Sequence, residues 1–371
     1  MRIFAIITSI IAIYVSSAFV RLELFASVGI IILGSIGLAI LSQKIFEQKS
    51  QNFTKLIFPA IIIILFIIPV TMPENNNWLT WADFPPTILN GGSSFSQFTS
   101  DDWKDAMNWI KENTPKEAII ASWWDYGYWI TTLSDRTTLA DNATLIDWQI
   151  QKMAYALITN PENSWHILHS DYTTDISTYL GDENVEEWGG QTYQSWLSSN
   201  EPNKDGILNK DCQPSMDCWF PVPHGLDADY VLIYLVGERF YVQDSNIPLY
   251  TLEGGGDESK KTWFATISNH QVSKYIQNDN ITPTDYYMEK STLGLLTPFS
   301  IFKYVEPNTG RTFDTFQNGL IPVYVNDLKF KDPETDPFYL VYASPSFYSQ
   351  EPGIMSAVLI YKINHDYNPQ N

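Results

Sequence analysis

Basic residues are scarce in this chain, and cysteine and histidine are scarcer. The 22 Lys and Arg stand against 42 Asp and Glu, a net charge of −20, which excludes a nucleic-acid backbone as a partner. Of the five histidines, His166 and His169 lie three apart in "WHILH", but no helical glutamate or third ligand accompanies them, so they make a poor metal pair. The two cysteines, Cys212 and Cys218 in "DCQPSMDC", lack the two further ligands that zinc would need. The triple glycine at 254–256 is not followed by the Lys-Ser/Thr of a phosphate loop. No nucleophile elbow and no internal repeat occur, and acids are too numerous for any one pair to stand out. Residue types alone therefore reveal no constellation for making or breaking a bond.

Apolar residues are concentrated at the start. Ile3 to Val20 and Leu24 to Leu41 are each 18 residues without a charge, and Leu56 to Met72 is a third run interrupted by Pro59 and Pro69. Each approaches the roughly 20 residues needed to cross a bilayer. Arg2 and the small residues "SSA" suit a signal peptide for the first run alone, but two more runs behind it favour three membrane helices. Lys44, Lys49 and Lys55 place the second connection in the cytoplasm, so everything after Met72 is expected outside. Arg21 and Glu23 then fall at the outer face, where a snorkelling arginine and a functional one are both open readings. The first 72 residues carry five basic and two acidic groups, which leaves 17 basic and 40 acidic in the remainder, a net of −23. Such a surface keeps an ectodomain soluble and says little about its fold. In an exported domain, a disulfide between Cys212 and Cys218 is expected to close their loop.

The outer part reads as mixed. A Pro-, Gly- and Ser-rich stretch from Asn75 to Ser100 serves as a linker or draped loop. "SDDWKDAMNWIKENTP" predicts a helix capped by Ser100, with Trp103, Met107 and Ile110 as its apolar stripe. From Asp147, Ile150, Met153, Ala154 and Leu157 recur at helical spacing up to Pro161. Residues 160–227 lack clean periodicity and read as an insertion. "DYVLIYLV" (229–236) predicts a buried strand, and "LEGGGDESKKTWFATI" a loop entering a helix at Asp257. Beyond residue 300, "LIPVYV", "PFYLVYAS" and "AVLIYKI" predict short strands. The fold class is α+β: three transmembrane helices (1–72), a mixed α/β extracytoplasmic core (73–300) and a β-rich peripheral unit (301–371).

"ASWWDYGYWI" (121–130) follows a short buried strand, "EAIIA". Trp123, Trp124 and Asp125 could point the same way only at a turn, because a strand alternates its faces. Gly127 makes a sharp turn plausible. "WWDYG" and the following "DNAT…IQKMAYAL" closely resemble the signature of the catalytic subunit of oligosaccharyltransferase, the membrane enzyme that moves a lipid-linked oligosaccharide onto Asn in Asn-X-Ser/Thr. "DESKKTWF" resembles that family's archaeal and eukaryotic Asp-x-x-Lys-x-x-x-Met/Ile pattern through Asp257 and Lys260, with Phe264 departing at the last place. The likeness runs from about residue 1 to about residue 305 and is poor over 160–227 and the tail.

The resemblance implies that Trp123, Trp124, Asp125, Asp257, Lys260 and Phe264 bind the acceptor sequon. Two indole N–H donors and one carboxylate acceptor saturate a Ser or Thr hydroxyl. A peptide lacking that hydroxyl strands those groups at about 1–3 kcal/mol per unpaired partner. Asp257, Lys260 and Phe264, at i, i+3 and i+7, share a helix face, and the last is expected to touch a threonine methyl, with Ile267 as its substitute. Without the resemblance, Asp257 and Lys260 read as an exposed ion pair. Arg21 matches an arginine near the lipid-linked pyrophosphate, a suitable partner for a diphosphate leaving group, although Glu23 could be its structural partner. The family's divalent ion, Mn2+ or Mg2+, sits on loops among early membrane helices that this sequence does not contain. The chain thus reads as the archaeal-type C-terminal portion, a piece or half of an enzyme that recognises sequons but is inactive alone, with no catalytic and no metal-binding residue of its own. Its implied partners are the acceptor polypeptide, a dolichol-type lipid-linked oligosaccharide, the cell membrane that it spans several times, and the N-terminal half. The alternative is a non-catalytic, membrane-anchored peptide- or glycan-binding protein, which would have no need of Lys260. Asn142 ("NAT") and Asn280 ("NIT") head sequons on the outer side, so the protein is a substrate candidate for the reaction itself.

Overall fold

The computed structural model describes residues 2–18, 23–47, 52–74, 77–95, 97–143, 147–169, 226, 228–242 and 246–367. It forms two units, Met1–Phe84 and Pro85–Asn371.

The first unit holds the three apolar runs as helices α1 (Arg2–Ala18), α2 (Glu23–Glu47) and α3 (Asn52–Thr71). Among the described residues one span, Phe25–Glu47, is long and apolar enough to cross a membrane, while Phe4–Ser16 and Lys55–Thr71 are shorter apolar helices. Small residues let α1 and α2 approach closely. Ser9 Oγ donates to Gly29 O at 3.1 Å, and a Cβ on Gly29 would lie 3.1 Å from Ser9 Cα. A short helix α4 (Trp78–Ala82) follows, its first turn capped by Asn77 Oδ1 accepting from Thr80 N at 2.9 Å.

The second unit opens with α5 (Thr87–Asn90) and α6 (Asp102–Asn113). Asp101, rather than the expected Ser100, occupies the cap position of α6 and makes no side-chain capping bond. The helix draws on Asp102 and Asp105 in its first turn and on burial of Trp103, Met107 and Ile110. Strand β1 (Ile119–Ala121) leads into the aromatic turn, and β2 (Thr137–Thr138) runs parallel to it. Between them α7 (Gly127–Trp129) continues into a π-helical turn, Ile130–Ser134, which Asp135 ends at φ 54°. Buried Arg136 then ties this segment to the end of α6, donating to Thr114 Oγ1, Thr114 O and Lys111 O at 2.9, 2.8 and 2.7 Å.

Helix α8 (Asp147–Ile158) forms where its periodicity predicts. Pro161, expected to stop the pattern, starts a new helix, α9 (Pro161–His169), as proline can at a first helical position. Trp165, Ile167 and Leu168 are buried in the same core, and Trp165 Nε1 donates to Asn364 O at 2.7 Å. The start of the supposed insertion is therefore core, while 170–225 and 227, with Cys212 and Cys218, lie outside the described residues.

Strand β3 (Tyr230–Tyr241) organises the sheet. On one edge it pairs antiparallel with β9 (Gly353–Ile363) from Tyr230↔Lys362 to Arg239↔Gly353. On the other, β1 pairs parallel with its first residues, and β4 (Pro248–Tyr250) pairs antiparallel with its last. Strands β5 (Phe299–Val305), β6 (Thr312–Phe313) and β7 (Ile321–Asn326) extend the sheet beyond β4, and β8 (Phe338–Ala343) flanks β9. Residues 301–371, expected as a peripheral unit, thus share the sheet of the core: β9 is fully apolar over Ala357–Leu359 because both its faces are covered.

Candidate functional site at the aromatic turn

The gap that β1 and β4 leave on one edge of β3 is filled by the loop carrying the triple glycine. Gly254 N donates to Val236 O at 3.0 Å and Asp257 N to Tyr234 O at 2.6 Å. A Cβ on Gly254 would lie 2.3 Å from Val236 Cγ1, and one on Gly256 would lie 2.5 Å from Tyr234 O. The glycines are required by this close approach of two backbones. The loop ends by setting Asp257 against the strand, where its Oδ2 accepts from Tyr234 N at 2.8 Å.

Across from it, β1 delivers the chain into a 3₁₀ turn, Trp124–Tyr126. Gly127, expected to allow a sharp turn, follows that turn with an ordinary φ of −56°. It is glycine because a Cβ would lie 2.5 Å from Ala140 O. Asn142 fastens the same turn, its Nδ2 donating to Asp125 O at 3.1 Å and its Oδ1 accepting from Tyr128 N at 3.4 Å. From below, Trp103 of α6 meets the rings of Tyr126, Trp129 and Tyr234 at centroid distances of 4.7, 4.8 and 5.0 Å.

The two segments meet through Lys260. Its Nζ donates to Asp125 Oδ2 at 2.9 Å and to Tyr126 Oη at 2.9 Å, and lies 3.6 Å from Asp257 Oδ1. Tyr126 Oη donates in turn to Asp257 Oδ1 at 2.8 Å, and the ammonium sits 4.7 Å from the Tyr126 ring centroid. Asp257 is buried, so it is no exposed partner of a helix-start ion pair. Burial pushes its carboxyl above the ordinary value, while Lys260 and the bonds from Tyr234 N and Tyr126 pull it down. Burial, then the neighbouring Asp257 charge, push the Tyr126 phenol well above 10, so it keeps its proton and stays a donor.

Asp125 retains one-third of its side-chain exposure. A carboxylate offers about four lone-pair sites, and Lys260 engages one oxygen, so the group keeps capacity for a further donor from solvent or a ligand. Trp124 is half-buried beside it, and Trp123, buried, lies 5.8 Å from Trp124 between ring centroids. Phe264 lies on the helix Lys261–Ile267, which follows a 3₁₀ turn at Glu258–Lys260. Expected to touch a ligand methyl, it is instead fully buried and meets Trp123 edge-on at 4.7 Å. Ile267 is partly buried against the core.

The structure therefore brings together Trp123, Trp124, Asp125, Asp257, Lys260 and Phe264, drawn from segments some 130 residues apart. Sequence reasoning passed over Tyr126, the hydroxyl that bridges Lys260 and Asp257. Its signal was its position inside "WWDYG", next to the three residues singled out. Arg21 lies outside the described residues, as do the side chains of Glu23, His166 and His169. Among the described residues no group of three or more His, Cys, Asp or Glu is arranged to hold a metal ion.

Residues 116–203 match the model of the STT3/PglB/AglB core domain. The chain is 30% identical over 132 residues to a dolichyl-diphosphooligosaccharide–protein glycosyltransferase subunit STT3B of Arabidopsis thaliana, covering 35% of this chain and 18% of that one. It is 33% identical over 109 residues to the stt3 subunit of Schizosaccharomyces pombe, covering 29% and 14%. The C-terminal domain of C. jejuni pglb aligns over 70% of this chain and 98% of its own at 14% identity, with a TM-score of 0.26. The matched part of the chain is therefore similar to part of the STT3 subunits of oligosaccharyltransferase. The chain spans less than a third of the length of these curated relatives.

Proposed function

We infer that this chain serves protein N-glycosylation, as the acceptor-recognising part of an oligosaccharyltransferase whose turn Trp123–Asp125, with Lys260, binds the Ser or Thr two residues after the target asparagine. The observation that carries this reading is the ion pair of Asp125 with Lys260, seated on the buried Tyr126–Asp257 pair. A carboxylate whose backbone is pinned by Asn142 and one of whose oxygens is held by an ammonium is pre-organised, and pre-organised polar groups discriminate strongly against a ligand that leaves them unpaired. The hydroxyl would donate to Asp125 and accept from an indole N–H, and Phe264 would act by holding Trp123.

In this reading α2 and its neighbours anchor the chain in the cell membrane and the second unit faces the outside. The donor is a dolichol-type lipid-linked oligosaccharide, its diphosphate near Arg21, in an archaeal-type enzyme. The Mn2+ or Mg2+ would be held by residues other than those described, so this part of the enzyme binds the acceptor without cleaving the donor. Asp125→Ala in the enzyme purified from source membranes should lower kcat/KM for an Asn-X-Thr peptide by roughly 10- to 100-fold, mainly through KM. Unchanged use of that peptide would refute the hydroxyl-binding role.

A further inference from the structure

The segment between the helix Lys261–Ile267 and the helix Asp285–Lys290 carries the sequon Asn280-Ile281-Thr282. Its first residue is exposed at the tip of a turn closed by Asn280 N donating to Gln277 O at 3.0 Å. The backbone there is left-handed, at φ 62°, a conformation asparagine tolerates better than most residues. Ile281 beside it is 55% exposed, so the turn leaves open space on its outer side. The third residue is in the opposite situation. Thr282 is 1% exposed. Its Oγ1 donates to Asp279 Oδ2 at 2.6 Å, its N to Asp279 Oδ1 at 2.9 Å, and its O accepts from Gln277 N at 2.8 Å. The folded turn therefore displays the amide that would be modified and hides the hydroxyl that licenses modification.

We propose that Asn280 is an N-glycosylation site of this protein, filled before the turn 277–282 closes. The inference rests on the outward orientation and sequon use of the proposed function. In the transfer, the Asn280 amide nitrogen forms a bond to the anomeric carbon of the sugar, and the bond from that carbon to the lipid diphosphate breaks. The diphosphate leaves with the bonding electron pair, and the amide gives up one proton, which passes to water. The reactant supplied from outside is a lipid-linked oligosaccharide diphosphate. Once the chain folds, the sugar projects from the exposed tip, and the Asp279–Thr282 bonds close behind it. A left-handed asparagine at the tip accommodates the added group without moving the core.

The test has two arms. Peptide mapping of the full chain from source membranes should find Asn280 carrying a glycan mass, and Asn280→Asp, which keeps a residue tolerant of that backbone, should remove that mass. Full-length protein made in a host without N-glycosylation should then be incubated with source membranes, folded or unfolded in urea and diluted. The folded chain should be modified at Asn280 about a hundredfold more slowly, since three hydrogen bonds on Thr282 must open first. A bare Asn280 in membranes whose other exported sequons are filled overturns the proposal and leaves the proposed function standing. Equal rates for folded and unfolded chain overturn the order of events. Membranes in which no exported sequon is filled overturn the function beneath it as well.

Discussion

Tyr126 is the residue on which the site's geometry turns. Its hydroxyl gives a bond to Asp257 and takes one from Lys260, and its ring lies under the same ammonium. Tyr126→Phe keeps the ring and deletes the bridge, leaving a buried carboxylate oxygen short of a donor. The variant should lose about 1–3 kcal/mol in urea unfolding and raise KM for Asn-X-Thr peptides with kcat little changed. Phe264 acts through packing. Phe264→Ala should cost about 3–5 kcal/mol and let Trp123 relax, so peptide affinity falls beyond the loss of stability; Phe264→Leu should restore most of both. Asp257 gives a pH signature. Its folded-state value lies above the unfolded one, so its contribution to stability is full below an unfolded value of about 3.9 and is lost as pH rises through the folded value. Comparing wild type with Asp257→Asn by urea unfolding from about pH 3.5 to about pH 7, the wild type's relative stability should fall as pH rises. A constant difference would contradict the assignment.

At the level of elements, the site is two turns held by backbone contact. The sequence made the first visible: an apolar "EAIIA" running into "WWDYG" reads as a short strand meeting a turn, and β1 followed by the 3₁₀ turn is what forms. What sequence could not show is why Gly127, Gly254 and Gly256 are glycine, because their neighbours, Ala140, Val236 and Tyr234, come from other segments. Nor could it assign Arg136, a buried clamp on the end of α6. Arg136→Lys cannot reproduce a planar fork that reaches Lys111 O and Thr114 O together. It should cost roughly 2–3 kcal/mol in thermal or urea unfolding through buried carbonyls left unpaired.

Across the whole molecule, periodicity located α6 and α8 and the strands β3, β7, β8 and β9, since their apolar patterns are local. It missed α9, whose opening proline reads as a stop, and it split off a C-terminal unit whose strand β9 pairs along nearly all of β3. Pairing partners 124 residues apart, such as Tyr234 and Val358, leave no mark on either local pattern. A separation of 135 residues likewise hid the meeting of Lys260 with Asp125, which became legible only through a two-part family signature.

The measurement that bears most directly on the account is equilibrium binding of matched peptides, Asn-X-Thr and Asn-X-Val, to the full chain in detergent. Threonine and valine share a shape and differ by the hydroxyl, so the ratio of affinities isolates the group that Asp125 is inferred to bind. The account predicts tighter binding of the threonine peptide by about tenfold or more, with the ratio collapsing toward one in Asp125→Ala. Equal affinities for the two peptides in the wild-type chain would contradict it.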